Sequence, residues 1–134
     1  MAERTESGTG HALILVVERN PAVQRLERYL LENAGFEVEF ASDGISALAL
    51  ARELRPHLLV SEVLVPRLDG FSLCRAIRID RQSNSVAIIL ISHLEAAKRA
   101  LEAGADAFLL KPFDPDVLIE KVSLLLREKG LTNG

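Results

Sequence analysis

One cysteine in 134 residues, Cys74, leaves this chain no internal disulfide, so the fold has to be held by burial and hydrogen bonding. No stretch approaches the ~20 apolar residues of a membrane span, and the N-terminus lacks the layout of a signal peptide. The cytoplasm is the expected compartment. Lys and Arg are scattered, and the formal net charge is -3, so there is no electrostatic footprint for nucleic acid or an anionic membrane. A protein partner is expected instead. There is no internal repeat, no low-complexity segment, no G-x-G-x-x-G and no P-loop, and no Ser-His-acid or metal-ligand cluster at a persuasive spacing. A small α/β enzyme or nucleotide binder therefore has little support.

What the chain does contain is a set of four apolar runs, Ala12–Val17, Leu58–Val60, Val86–Ile91 and Ala107–Leu110. They are closed by Glu18-Arg19, Glu62, Ser92 and Lys111 respectively. In an open parallel sheet the ligand crevice lies at the carboxyl ends of the strands, so these polar groups are expected to converge. Strand-like and helix-like patterns alternate about five times, the signature of βαβ units. The class is α/β, with a sheet covered on both faces. Near-continuous apolar runs suit central parallel strands. In Phe36–Phe40, by contrast, Glu37 and Glu39 alternate with apolar residues, as expected of an edge strand.

Helices fit the gaps. Val23, Leu26 and Leu30 follow Pro21 at helical spacing, and Gly35 supplies a left-handed stop. Ile45, Leu48 and Ala49 follow the possible caps Ser42 and Asp43, while Phe71, Cys74 and Ile77 follow Asp69-Gly70. The last helix opens with Asp114 as N-cap and Pro115 at its first position, then buries Leu118, Val122 and Leu125. At 134 residues one domain is expected, over 11–130. Residues 1–10 read as a disordered tail, and 131–134 as a C-terminal tail or truncated linker.

Five segments carry a family resemblance: Asn33–Phe36, Ala41–Gly44, Val65–Gly70, Ala103–Asp106 and Lys111-Pro-Phe113. In that order, and over nearly everything after the first ten residues, the chain resembles the receiver domain of two-component response regulators, the CheY-like fold. The resemblance implies a three-layer α/β/α sandwich around a five-stranded parallel sheet in the order 2-1-3-4-5. It also implies phosphoryl transfer from a kinase histidine to an aspartate ending the third strand. In such a site two acids after the first strand hold Mg2+, a hydroxyl follows the fourth strand and a lysine the fifth.

Carried over residue by residue, Glu18 and Arg19 stand for the acidic pair, Glu62 for the phosphoacceptor, Ser92 for the hydroxyl and Lys111 for the lysine. Arg19 departs most sharply, because a guanidinium has no acceptor and cannot ligate a metal. Glu62 keeps the charge but carries it one methylene farther out, against the in-line geometry of phosphoryl transfer. The charges of Glu18, Glu62, Arg19 and Lys111 sum to zero. The expectation is that Glu62 pairs with Lys111 and Arg19, that no metal or other cofactor is bound, and that the site is fixed or permanently switched-like.

The resemblance makes Phe108 the switch aromatic; otherwise it is an edge-strand residue packed on a helix. It also places the partner surface on the fourth helix, fifth strand and fifth helix, and implies a cis peptide at Lys111-Pro112. The 19 positions from Ser92 to Lys111 predict a shortened loop and helix there. Cys74 reads as a packed thiol, His93 as a loop histidine, and His11 and His57 as structural or surface residues. The expected function is thus an atypical, non-enzymatic receiver of a two-component phosphorelay, binding a protein partner or a second copy without phosphorylation at Glu62. A histidine kinase or an output domain is a possible partner. The first alternative is a working response regulator, phosphorylated by a histidine kinase with Mg2+. A ligand-binding or enzymatic α/β domain is the second.

Overall fold

The computed structural model describes residues 11–130. The two expected tails, 1–10 and 131–134, lie outside them. In chain order the elements are β1 (Leu13–Val17), α1 (Pro21–Asn33), β2 (Glu37–Ala41), α2 (Gly44–Leu54), β3 (Leu58–Glu62), α3 (Gly70–Ile79), β4 (Ala87–Ser92), α4 (Ala97–Ala103), β5 (Ala107–Leu110) and α5 (Pro115–Glu128). The strands pair in parallel in the order β2-β1-β3-β4-β5.

Burial explains the layers. β1 and β4 are buried along their whole length, as strands covered on both faces must be. β2 lies at the edge, with Glu37 and Glu39 exposed. On one face of the sheet Leu15, Leu59 and Leu90 pack with Ala47 and Ala51 of α2, Phe71 to Ile77 of α3, and Ala100 and Ala103 of α4. On the other, Ile14, Val60 and Ile89 pack with Leu31 of α1 and Leu118, Val122, Leu125 and Leu126 of α5. Truncating a fully buried member such as Leu31 or Leu126 to alanine would cost about 2–5 kcal/mol.

Local chemistry sets the helix ends. Asn20 Oδ1 accepts from the Ala22 amide at 2.8 Å and so caps α1, while Asp43 and Asp69 accept from the Ser46 and Ser72 amides to cap α2 and α3. α5 starts at Pro115 after Asp114, though the Asp114 side chain makes no capping bond. α4 is seven residues long and has no side-chain cap. The Lys111–Pro112 peptide is cis.

Two helix faces differ from the expected phase. In α1 Leu26 is 54% exposed, and the inward positions are Val23, Glu27, Leu30 and Leu31. A helix turns ~100° per residue, so a core contact anchored at Leu31 carries residues 23 and 27 inward and rolls 26 out. In α2 the buried positions are Gly44, Ala47 and Ala51, and Leu48 packs on the core as expected, but Ile45 and Ala49 are exposed. Glycine is required at the start of the helix because the loop before α3 approaches so closely that a Cβ on Gly44 would fall 2.0 Å from the Leu68 carbonyl oxygen.

Candidate functional site

The carboxyl ends of β1, β3 and β5 meet in a shallow crevice of about 400 Å³, whose lining includes Glu18, Arg19, Glu62 and Lys111. The chain leaves β1 with the Glu18 amide still donating to Ala41 O at 2.9 Å. The Glu18 side chain is buried, and its Oε2 accepts from the Asn20 amide at 3.0 Å. Gln24 Nε2 donates to the Glu18 carbonyl. This acid is therefore fixed by the loop that leads into α1.

Glu62 is the last residue of β3, which runs two residues beyond the apolar Leu58–Val60. The strand end is clamped from both sides. Val63 N donates to Ile91 O at 2.8 Å, Gly70 N donates to Val63 O at 2.7 Å, and a Cβ on Gly70 would lie 2.7 Å from Glu62 O. Gly70 is needed for that approach. Lys111 follows β5, with its amide donating to Ser92 O at 2.8 Å. Its Nζ forms an ion pair with Glu62 Oε2. The two side chains are 25% and 18% exposed, so the pair is only partly wet, and Glu62 Oε2 accepts no hydrogen bond from another group among the described residues.

Arg19 lines the crevice but is exposed and forms no ion pair among the described residues. The expected Arg19–Glu62 pair is thus not made. Glu62 turns to the lysine across the sheet, and the guanidinium keeps its water, which avoids the cost of desolvating a second cation.

Ser92 ends β4, is buried, and accepts from the Leu94 amide at 3.0 Å through Oγ. It lines a second crevice, beside the first and sharing Leu64 with it. Phe108 is half-buried on β5, packed against the core on the α2-α3-α4 side, and lines neither crevice. Cys74 is buried, and burial pushes its thiol up to about 11. His93 is exposed, and His57 Nδ1 accepts from the Leu13 amide at 2.9 Å.

The sequence pattern did not point to Glu27. Its Oε1 is buried with no hydrogen-bond partner among the described residues. Burial first, then the negative charges of Glu18 and Glu62, push the carboxyl up from 4.5 to about 7, against the pull of Lys111. The available signal was its position four after Val23 and four before Leu31, once Leu31 is chosen as the anchor.

A divalent ion is what the family resemblance would place here, and the donors fit it poorly. Glu18 gives one carboxylate oxygen to a backbone amide, Arg19 offers no lone pair, Glu62 is held by the ammonium of Lys111, and Glu27 is half-buried with one oxygen orphaned. Among the described residues no group of three His, Cys, Asp or Glu side chains is placed to hold a metal ion.

A family model described as response regulator receiver domain matches residues 14–123. The DNA-binding dual master transcriptional regulator RpaA of Synechocystis sp. is 34% identical over 117 residues, covering 85% of this chain and 48% of RpaA. The transcriptional regulatory protein CseB of Streptomyces avermitilis is 36% identical over 137 aligned residues, covering 100% of this chain and 54% of CseB. The chain thus spans about half the length of the curated relatives it matches. Among solved structures, the chemotaxis response regulator CheY4 of Vibrio cholerae superposes with a TM-score of 0.80 at 30% identity over 87% of this chain and 99% of that one. The receiver domain of sensor histidine kinase PA1611 from Pseudomonas aeruginosa, with magnesium coordinated in its active-site cleft, gives 0.77 at 32% identity over 90% and 98%.

Proposed function

Given that the chain belongs to the response regulator receiver domains of two-component signalling, we propose that it is an atypical member that signals by protein-protein contact without accepting phosphate at Glu62. Receivers are signalling modules, and this chain's departures lie at the reacting groups. The observation that carries the reading is the Lys111–Glu62 ion pair in a crevice where Arg19 replaces a second acid. In a phosphoryl-transfer site the lysine and the metal neutralise charge that develops on the transferred group. Here the ammonium already pairs with the Glu62 carboxylate.

The metal's contribution lacks its usual ligands, because Arg19 offers no lone pair and Glu62 is paired with Lys111. An incoming phosphoryl group would meet Glu18 and Glu62 with only Lys111 and the outlying Arg19 to balance it. Output on this reading comes from the surface of a fixed domain. The α4-β5-α5 face, where Leu101 and Leu110 are exposed, is the proposed place for a protein partner, an output domain or a second copy of the chain.

The test is to incubate the protein with Mg2+ and acetyl phosphate and weigh it intact. No adduct should form at Glu62, and titration calorimetry should find no tight Mg2+ uptake. A phosphoryl adduct that disappears in Glu62→Gln would overturn the reading in favour of a working regulator served by a histidine kinase. Arg19→Asp combined with Glu62→Asp should restore some metal affinity, because it returns the missing ligand and the shorter arm.

A further inference from the structure

The second crevice, about 390 Å³, lies between α3 and the connection from β4 to α4, with Arg99 of α4 in its lining. We propose that it is a docking groove for an acidic amphipathic peptide segment of a partner protein, whose apolar residues cover Leu64 and Leu94 and whose carboxylates meet Arg75 and Arg99. The proposal holds whether or not Glu62 takes phosphate.

The apolar part is unusual for a surface. Leu64 and Leu94 flank the groove at 75% and 69% exposure, with the buried Phe71 ring beneath. Single exposed leucines are unremarkable, but two at the lip of one cleft with an aromatic floor make a contiguous apolar strip.

The charged side chains around that strip, two arginines and two carboxylates, sum to zero and differ in how they are held. Asp69 and Glu95 also line the groove, yet both are occupied: Asp69 accepts from the amide and hydroxyl of Ser72 at 2.9 and 3.0 Å, and Glu95 Oε2 from the Ala97 amide at 2.9 Å. The two guanidiniums have no such partners. Neither Arg75 nor Arg99 forms an ion pair among the described residues, and Arg75 reaches Asp69 only as a longer-range charge. Arg99 rests over the Phe71 ring, 4.3 Å from its centroid, holding its fork at the groove's edge. Guanidiniums so presented suit bidentate carboxylates.

Leu64 also lines the crevice of Glu62 and Lys111, and Ser92 lines the groove itself. An occupant would therefore sit beside the site.

The experiment pans a phage-displayed library of random peptides on the full chain, then measures the enriched peptides by fluorescence anisotropy. The expected consensus combines Asp or Glu with Leu, Phe or Met, with affinity falling as salt rises. Leu94→Asp, at an exposed position, should weaken binding by about tenfold or more with the melting temperature unchanged, and Arg99→Glu should weaken it as much with a small fall in melting temperature from the lost Arg99–Phe71 stacking. In amide NMR, shifts on peptide addition should centre on Leu64, Leu94 and Arg75. The proposal is overturned by a basic consensus, by no enrichment, by light scattering that shows this face closing a homodimer, or by peptides that lose affinity in Leu110→Asp but not in Leu94→Asp.

Discussion

Replacing Glu27 with Gln tests the electrostatics of the site through stability, without any partner. The unfolded chain releases the Glu27 proton near 4.5, whereas the folded protein holds it to about 7. The native state therefore binds this proton more tightly. Below 4.5 both states are protonated and the group is neutral to stability; as pH rises from there through about 7 the folded protein loses stability, and the loss then levels off. At 1.36 kcal/mol for each pH unit of separation, the full penalty is at most about 3 kcal/mol, and relaxation of the half-buried side chain lowers it to about 1–3. Gln keeps the shape and removes the charge that faces Glu18 and Glu62. The assay is urea unfolding of both proteins at a series of pH values from about 5 to 8. Relative to the parent, Glu27→Gln should gain about 1–3 kcal/mol between the two ends of that range, whatever the offset from placing a new amide. A stability difference that stays flat with pH would refute the burial of a strained carboxyl at this position.

Arg67 sits in the left-handed region at φ 71°, so Arg67→Gly should raise stability by about 1 kcal/mol in chemical denaturation; its 3.5 Å ion pair with Asp43 is too exposed to offset that. Gly44→Ala drives a Cβ into the Leu68 carbonyl and should cost about 2 kcal/mol or more, read as a lower urea midpoint, while Gly35→Ala, with open space around it and only the φ of 96° to strain it, should cost about 1. Lys111→Met leaves the Glu62 carboxylate without its counter-ion and should lower stability at neutral pH by about 1–3 kcal/mol; adding Glu62→Gln should recover most of that loss in a double-mutant cycle.

The strands were legible because fully buried parallel strands must be apolar nearly throughout, and Val86–Ile91 can be little else. The crevice followed from the same runs, since whatever closes a parallel strand stands at the carboxyl edge. Glu18, Arg19, Glu62 and Lys111 do line one crevice. Helix phase was less legible. Val23, Leu26 and Leu30 satisfy the apolar spacing as well as Val23, Leu30 and Leu31 do, and periodicity alone cannot choose between two phases one residue apart. The choice of Leu31 turned Leu26 to solvent and Glu27 inward. In α2, spacing favoured the larger Ile45, but the packed side carries Ala47 and Ala51, flanked by the partly buried Leu48 and Leu50, and leaves Ile45 exposed.

The order of residues by itself determined the alternating α/β architecture, the family, and which four charges end the strands, because these depend on local period and on chain direction. It also determined that Arg19 cannot act as a metal ligand, which is a property of guanidinium in any setting. Tertiary structure decided which of the expected charge pairs forms. Glu62 reaches Lys111 while Arg19 stays in water, Glu27 joins the site as a buried acid, and Leu64 connects it to an apolar groove with two unpaired arginines. Those outcomes depend on angstrom-scale distances between separate elements and on how much water each charge keeps, quantities that arise only when the helices settle against the sheet.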